Sequence, residues 1–121
     1  MTRKRERRSL NTSDYLEKLY QQVDGLNGRF PNGNTPFHII TRLCEEAGEL
    51  AAEVNHFEGM GIKLQKRGEP DKMALAKEVE DVIKAALSIA RYYGIEQELK
   101  DSIDMHCQKL KTLGYIKDAV E

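Results

Sequence analysis

Apolar residues that recur at steps of three and four, with no sustained alternation at steps of two, constrain this chain more than any other feature. Over positions 70–93, Val79, Val82, Ile83, Ala86, Ala90 and Tyr93 keep that rhythm. A helix turns about 100° per residue, so such a run lines one of its sides. Ile40, Leu43, Ala47, Leu50, Ala51 and Val54 do the same upstream, and Leu99, Ile103, Leu110 and Leu113 do so downstream. A half-buried strand needs a period of two, which no segment supplies. The chain reads as all-α.

Breakers divide the rhythm into four helices. The first is expected over 13–23, capped by Thr12 or Ser13, with Tyr15, Leu16, Leu19 and Tyr20 on one side. "DGLNGRFPNGNTP" holds three glycines and two prolines and reads as a loop. Thr35-Pro36 then opens the second helix, because the hydroxyl caps and proline loses nothing in a first turn. That helix runs to about Phe57, and "EGMGIKLQKRGEP" is the next loop. The third helix starts near Pro70 or Asp71 and stops at Tyr93, with Gly94 as the left-handed residue after it. The fourth covers about 95–113 and ends at Gly114. An antiparallel four-helix bundle is the economical architecture. The expected division is a flexible basic tail over 1–12, a helical domain over 13–114 and a C-terminal tail over 115–121.

At 121 residues the chain suits one domain with one core. Nineteen Lys and Arg against twenty Asp and Glu give a net charge of -1, which argues against a general nucleic-acid binder. The opening "TRKRERRS" is the local exception, with Arg3, Lys4, Arg5, Arg7 and Arg8. It is either a solvated tail or a weak anion contact, and no aromatic residue is interleaved to favour the second. No apolar stretch after it reads as a signal peptide, and none approaches the ~18 residues that suggest a membrane span. Cys44 and Cys107 lack metal-ligand spacing and read as reduced core thiols of a cytoplasmic protein.

The stretch "RLCEEAGELAAEVNHFEG" at 42–59 sets Glu46, Glu49 and Glu53 along the border of an apolar stripe, with Glu45 further round. On the third helix, Glu78 and Asp81 border the stripe in the same way. Glu80 lies on the opposite flank, four before Lys84, as an ordinary surface ion pair. Each carboxylate alone reads as a solvated surface charge. As a set, acids spaced three apart on two adjacent helices repel one another unless a cation intervenes. Oxygen ligands without His or Cys suit a hard ion, Mg²⁺ or Mn²⁺, over zinc.

"EEAGE" (45–49) followed by "EVED" (78–81) reads EExxE…ExxD, and this resembles the MazG-type all-α nucleoside triphosphate pyrophosphohydrolases. The likeness extends from "TPFHIITRLCEEAGEL" through "DVIKAALSIARYYGI" and covers roughly 35–113. The resemblance implies four Mg²⁺ ligands, Glu46, Glu49, Glu78 and Asp81. It implies hydrolysis of (deoxy)nucleoside triphosphates between the α and β phosphates, giving the monophosphate and pyrophosphate. Glu45 or Glu49 then positions or deprotonates the attacking water, with the choice open; Glu45 alternatively orients a basic side chain.

Phosphates call for cations beyond the metal, and Lys63, Lys66, Arg67 and Lys109 are the candidates, each otherwise a solvated surface charge. His106 stands where that family places an asparagine, and is either a core histidine or a substrate contact. For the base, "NHFEG" offers His56 and Phe57, and the preceding loop offers Phe30 and Phe37, with core packing as the alternative for Phe57. His38 packs or caps. Four short helices bury little surface per chain, and the resemblance implies that such chains associate through them, so a homodimer or homotetramer with the site near a subunit interface is expected. No stable nucleic-acid partner and no membrane association are expected.

Two rivals bear on the same residues. A di-iron carboxylate bundle needs ExxH twice, and "EVNH" at 53–56 has no second copy. A non-catalytic helical adaptor or regulator, its basic tail touching nucleic acid, predicts an acidic edge that binds no divalent ion.

Overall fold

Thr35 and Pro36 set the entry to the helix that carries the acidic motif. Thr35 has extended backbone, and its hydroxyl accepts the His38 backbone N–H at 3.3 Å while donating to His38 Nδ1 at 2.6 Å. His38 therefore belongs to the cap. The computed structural model describes residues 2–59 and 68–117, and among these it holds four helices and no strand. They are α1 (Thr2–Arg29), α2 (Pro36–Phe57), α3 (Lys72–Tyr93) and α4 (Glu96–Thr112).

The last three match the expected bounds to within a residue or so, because each has a chemical start or stop. Asp71 Oδ1 accepts the Met73 N–H at 3.0 Å and opens α3. α1 is longer than expected at both ends. Arg, Lys, Glu and Leu are good helix formers, and no breaker precedes Gly25, so the helix takes in residues 2–12 that read as a tail. At the other end Gly25 and Gly28 cost about 1 kcal/mol each against alanine, which is too little to stop a helix. Pro31 does stop it, through its restriction on the residue before.

Contacts divide the chain into two units, Met1–Ile89 and Ala90–Glu121. In the first, Tyr20 and Val23 of α1, Ile39 of α2, and Ala85 and Leu87 of α3 are buried. Burying a side chain of that size contributes roughly 1.5–3 kcal/mol. Lys84 Nζ on α3 donates to Gln22 Oε1 on α1 at 3.2 Å.

The inward line of α2 departs from the expected stripe. Ile39, Glu53 and His56 are buried, with Leu43, Glu46 and Leu50 half-buried, whereas Ile40, Ala47, Ala51 and Val54 are exposed. The two lines lie about one residue, or 100°, apart on the helix. This helix thus has two usable faces, and within the chain the acid-bearing one turns inward. On α3 likewise, Val79 and Ile83 are exposed while Glu78 and Asp81 are half-buried.

In the second unit Gly94, at φ +65°, ends α3: its N–H bonds Arg91 O and the Ile95 N–H reaches Ala90 O. Gly114 ends α4 in the same way, with Tyr115 N–H on Leu110 O. Arg91 donates to Glu96 Oε2 at 2.8 Å across the turn. No α4 residue is buried, and Ile103, Leu110 and Leu113 are exposed. Cys44 and Cys107 are both exposed free thiols, so neither fills a core position as expected. No helix among the described residues is long and apolar enough to cross a membrane.

Candidate metal centre

Three of the four acids expected to act together do meet. Glu46 on α2 and Glu78 and Asp81 on α3 each place a carboxylate oxygen within 4.8 Å of the others. All three are half-buried. The three-residue step from Glu78 to Asp81 sets both on one side of α3, and Glu46 faces them because α2 turns its acidic line inward. Glu49, one turn further along α2, is exposed and stays outside this cluster. An octahedral Mg²⁺ holds opposite oxygens about 4.2 Å apart, twice its metal–oxygen distance. Three oxygens on one such ion include adjacent pairs about 3 Å apart, so these side chains would have to draw together to share it; carboxylate oxygen is the donor type such an ion takes.

Electrostatics of the cluster follow from its crowding. Burial, then the charges of Asp81 and Glu78, push the Glu46 carboxyl above its usual range, with Glu49 adding to the effect and Lys77 opposing it. Lys77 Nζ donates to Asp81 Oδ2 at 2.8 Å, and Lys84 Nζ lies 3.5 Å from Asp81 Oδ1. That hydrogen bond and the Asp81 charge hold the Lys77 ammonium above its ordinary value. Lys84 thus turns to Asp81 and Gln22 instead of forming the expected pair with Glu80. Three carboxylates and two ammonium groups leave one negative charge in excess. A like pair near 4 Å repels by roughly 1 kcal/mol in bulk water and more near a protein surface.

The other expected site residues scatter. Glu45 is exposed and lines a shallow hollow with Phe37, His38, Thr41 and Arg42. Lys63, Lys66 and Arg67 lie outside the described residues. His106 and Lys109 are exposed on α4, and His106 Nδ1–H donates to Ser102 O at 2.7 Å, a contact with its own helix in place of a core position. Phe57 is half-buried, while Phe30 and Phe37 are exposed, Phe30 beneath the Arg29 guanidinium at 4.8 Å.

His56 is fully buried beside Glu53, its Nδ1 3.7 Å from Glu53 Oε2. Its Nε2–H donates to Gly68 O at 2.6 Å, which ties the end of α2 to the residues leading into α3. The ExxH spacing that pointed to a half-site for iron instead makes this internal pair.

Sequence reasoning missed Arg42 and Lys77. Arg42 Nη2 donates to Gly33 O at 3.1 Å and stands one turn before Glu46. Lys77 lies four before Asp81, a spacing that could have flagged it. Also missed was a cavity of about 220 Å³ among α1, α2 and α3 that has Glu46 and Asp81 in its wall.

Among the described residues this chain is all-helical, and two of its helices share a cluster of three carboxylates. No protein-family model matches the sequence, and no solved structure matches it. It is 35% identical over 92 residues to the "Uncharacterized protein YpjD" of Bacillus subtilis (strain 168), an alignment that covers 75% of this chain and 80% of that protein. The chain belongs to the family of that protein.

Proposed function

We propose that this protein is a Mg²⁺-dependent nucleoside triphosphate pyrophosphohydrolase with a MazG-like, antiparallel helical bundle. One observation carries the reading: Glu46 and Glu78, thirty-two positions apart in sequence, converge with Asp81 to within 4.8 Å. The EExxE…ExxD order supports it, because these are three of the four positions that the motif assigns to the metal. Glu46, Glu78 and Asp81 hold the ion, and Glu49 joins them by a rotamer change or through water. A hard dication bound there polarises a phosphoryl oxygen and makes bound water more acidic. The protein's own part is to orient the triphosphate, neutralise its charge and take up a proton. Glu45 and Glu49, both exposed beside Glu46, are the carboxylates available for that proton.

A homodimer or homotetramer completes the proposal. Ile40, Cys44, Ala47, Ala51 and Val54 recur on the exposed side of α2 at steps of four and three, the repeat that suits a helix–helix seam.

The alternative, a non-catalytic helical adaptor, gains from the ammonium groups on Asp81, since a cluster already bridged by lysines can be purely structural. An assay of the full chain against canonical triphosphates with Mg²⁺ separates the two. Equal amounts of monophosphate and pyrophosphate, lost in Glu78→Gln, are expected. Absence of turnover favours the adaptor, and release of orthophosphate alone contradicts both readings.

A further inference from the structure

The spacing along α4 is that of a seam with a second helix. Leu99, Ile103, His106, Leu110 and Leu113 follow one another at steps of four, three, four and three. Such a repeat keeps one line of side chains facing a partner helix along its whole length. Among the described residues nothing takes that place: no residue of α4 is buried, and Ile103 and Leu113 are 49% and 55% exposed. His106 is the one polar member of the line. Its Nδ1–H donates to Ser102 O at 2.7 Å, so one ring nitrogen is satisfied within the helix.

Charge along α4 says what fits the open seam. Over 96–104, four acids (Glu96, Glu98, Asp101 and Asp104) and one lysine give a net charge of -3. Over 105–112, Lys109 and Lys111 give +2 with His106 neutral. A parallel copy of this helix stacks acid on acid and base on base. An antiparallel copy sets each half against its opposite, and the two helix dipoles then oppose as well.

We propose that α4 docks on α4 of a second copy of this chain, antiparallel, about a two-fold axis between the helices. The register that overlaps them end to end sets Leu99 on Leu110 of the second copy and Ile103 on His106 of the second copy. It also brings Glu98 beside Lys109 of the second copy, twice by symmetry. A strip about 25 Å long and 10 Å wide is far less than the roughly 800 Å² per partner of a standard interface. The contact is therefore weak and forms above micromolar concentration. It is separate from the outward line of α2, and the two seams together make a dimer of dimers. It holds whether or not the chain hydrolyses nucleotides.

Sedimentation velocity of the full chain carrying Ala51→Arg, which silences the α2 seam, tests this from about 10 μM to 1 mM. A monomer that passes to a dimer across that range is expected. Ile103→Lys, at an exposed position, abolishes the dimer while circular dichroism shows the same helix content. Glu98→Lys weakens the dimer several-fold, and adding Lys109→Glu restores it, because the antiparallel pair alone rejoins opposite charges. A monomer throughout, a dimer indifferent to Ile103→Lys, or a double exchange as weak as Glu98→Lys overturns the proposal. Turnover does not enter the readout, so the hydrolase reading and this seam fail separately.

Discussion

Glu46 is the residue on which the cluster's behaviour turns. Its carboxyl is raised by burial first and by Asp81 and Glu78 next, so the folded protein binds that proton more tightly than the unfolded chain. The stability this lends is fully present below the unfolded value of 4.5 and is lost as pH rises through the raised one. Glu46→Gln is therefore expected to flatten the decline in urea midpoint of the metal-free protein between pH 4.5 and 7; an unchanged slope counts against the crowding. The proposed Mg²⁺ is expected to reverse the sign, because it would bind the ionised carboxylate and stabilise more as pH rises. Lys77 offers a second probe. Its ammonium, on Asp81 at 2.8 Å, competes with the proposed dication for that carboxylate. Lys77→Met is expected to tighten Mg²⁺ binding several-fold in a calorimetric titration, and weaker binding would mean that the lysine assists the metal.

At the scale of the element, local chemistry explains why α2, α3 and α4 were legible and α1 was not. Thr35-Pro36, Asp71, Gly94 and Gly114 each satisfy or release backbone groups at a helix end, and sequence shows them directly. Thr35→Ala should lower stability by about 1 kcal/mol in chemical denaturation, the usual worth of such a cap. Gly25 and Gly28 misled because glycine weakens a helix without ending it. The facing of α2 was not legible either, since the helix has two apolar-capable lines and periodicity cannot tell which one meets its own chain. Glu53 and His56 are buried on the inward line, whereas Ala47 and Ala51 lie on the outward one. Ala51→Arg is accordingly expected to convert a dimer to monomer in sedimentation velocity with its helix content unchanged. A wild-type chain that sediments as a monomer at micromolar concentration removes that seam.

For the molecule as a whole, the acidic spacing foretold three of the four acids that were expected to meet, because it records helix geometry. Lys77 and Lys84 on Asp81, and Arg42 one turn before Glu46, are neighbours within single helices whose spacing was there to be read. What sequence does not show is how α2 and α3 rotate against each other to set Glu46 against Glu78 and Asp81. The buried His56–Glu53 pair shows the same limit: ExxH reads identically whether it faces a metal or a core. His56→Ala should destabilise the fold by about 2–4 kcal/mol in urea unfolding, since it leaves a cavity in a fully buried position and removes the bond to Gly68 O. Electron paramagnetic resonance of Mn²⁺ titrated into the full chain, beside Glu78→Gln, tests the shared-carboxylate site most directly. Loss of the free-ion signal with saturation in the native protein, and its return in the variant, is the predicted result. A free-ion signal that grows in proportion to added Mn²⁺ in both proteins would contradict it.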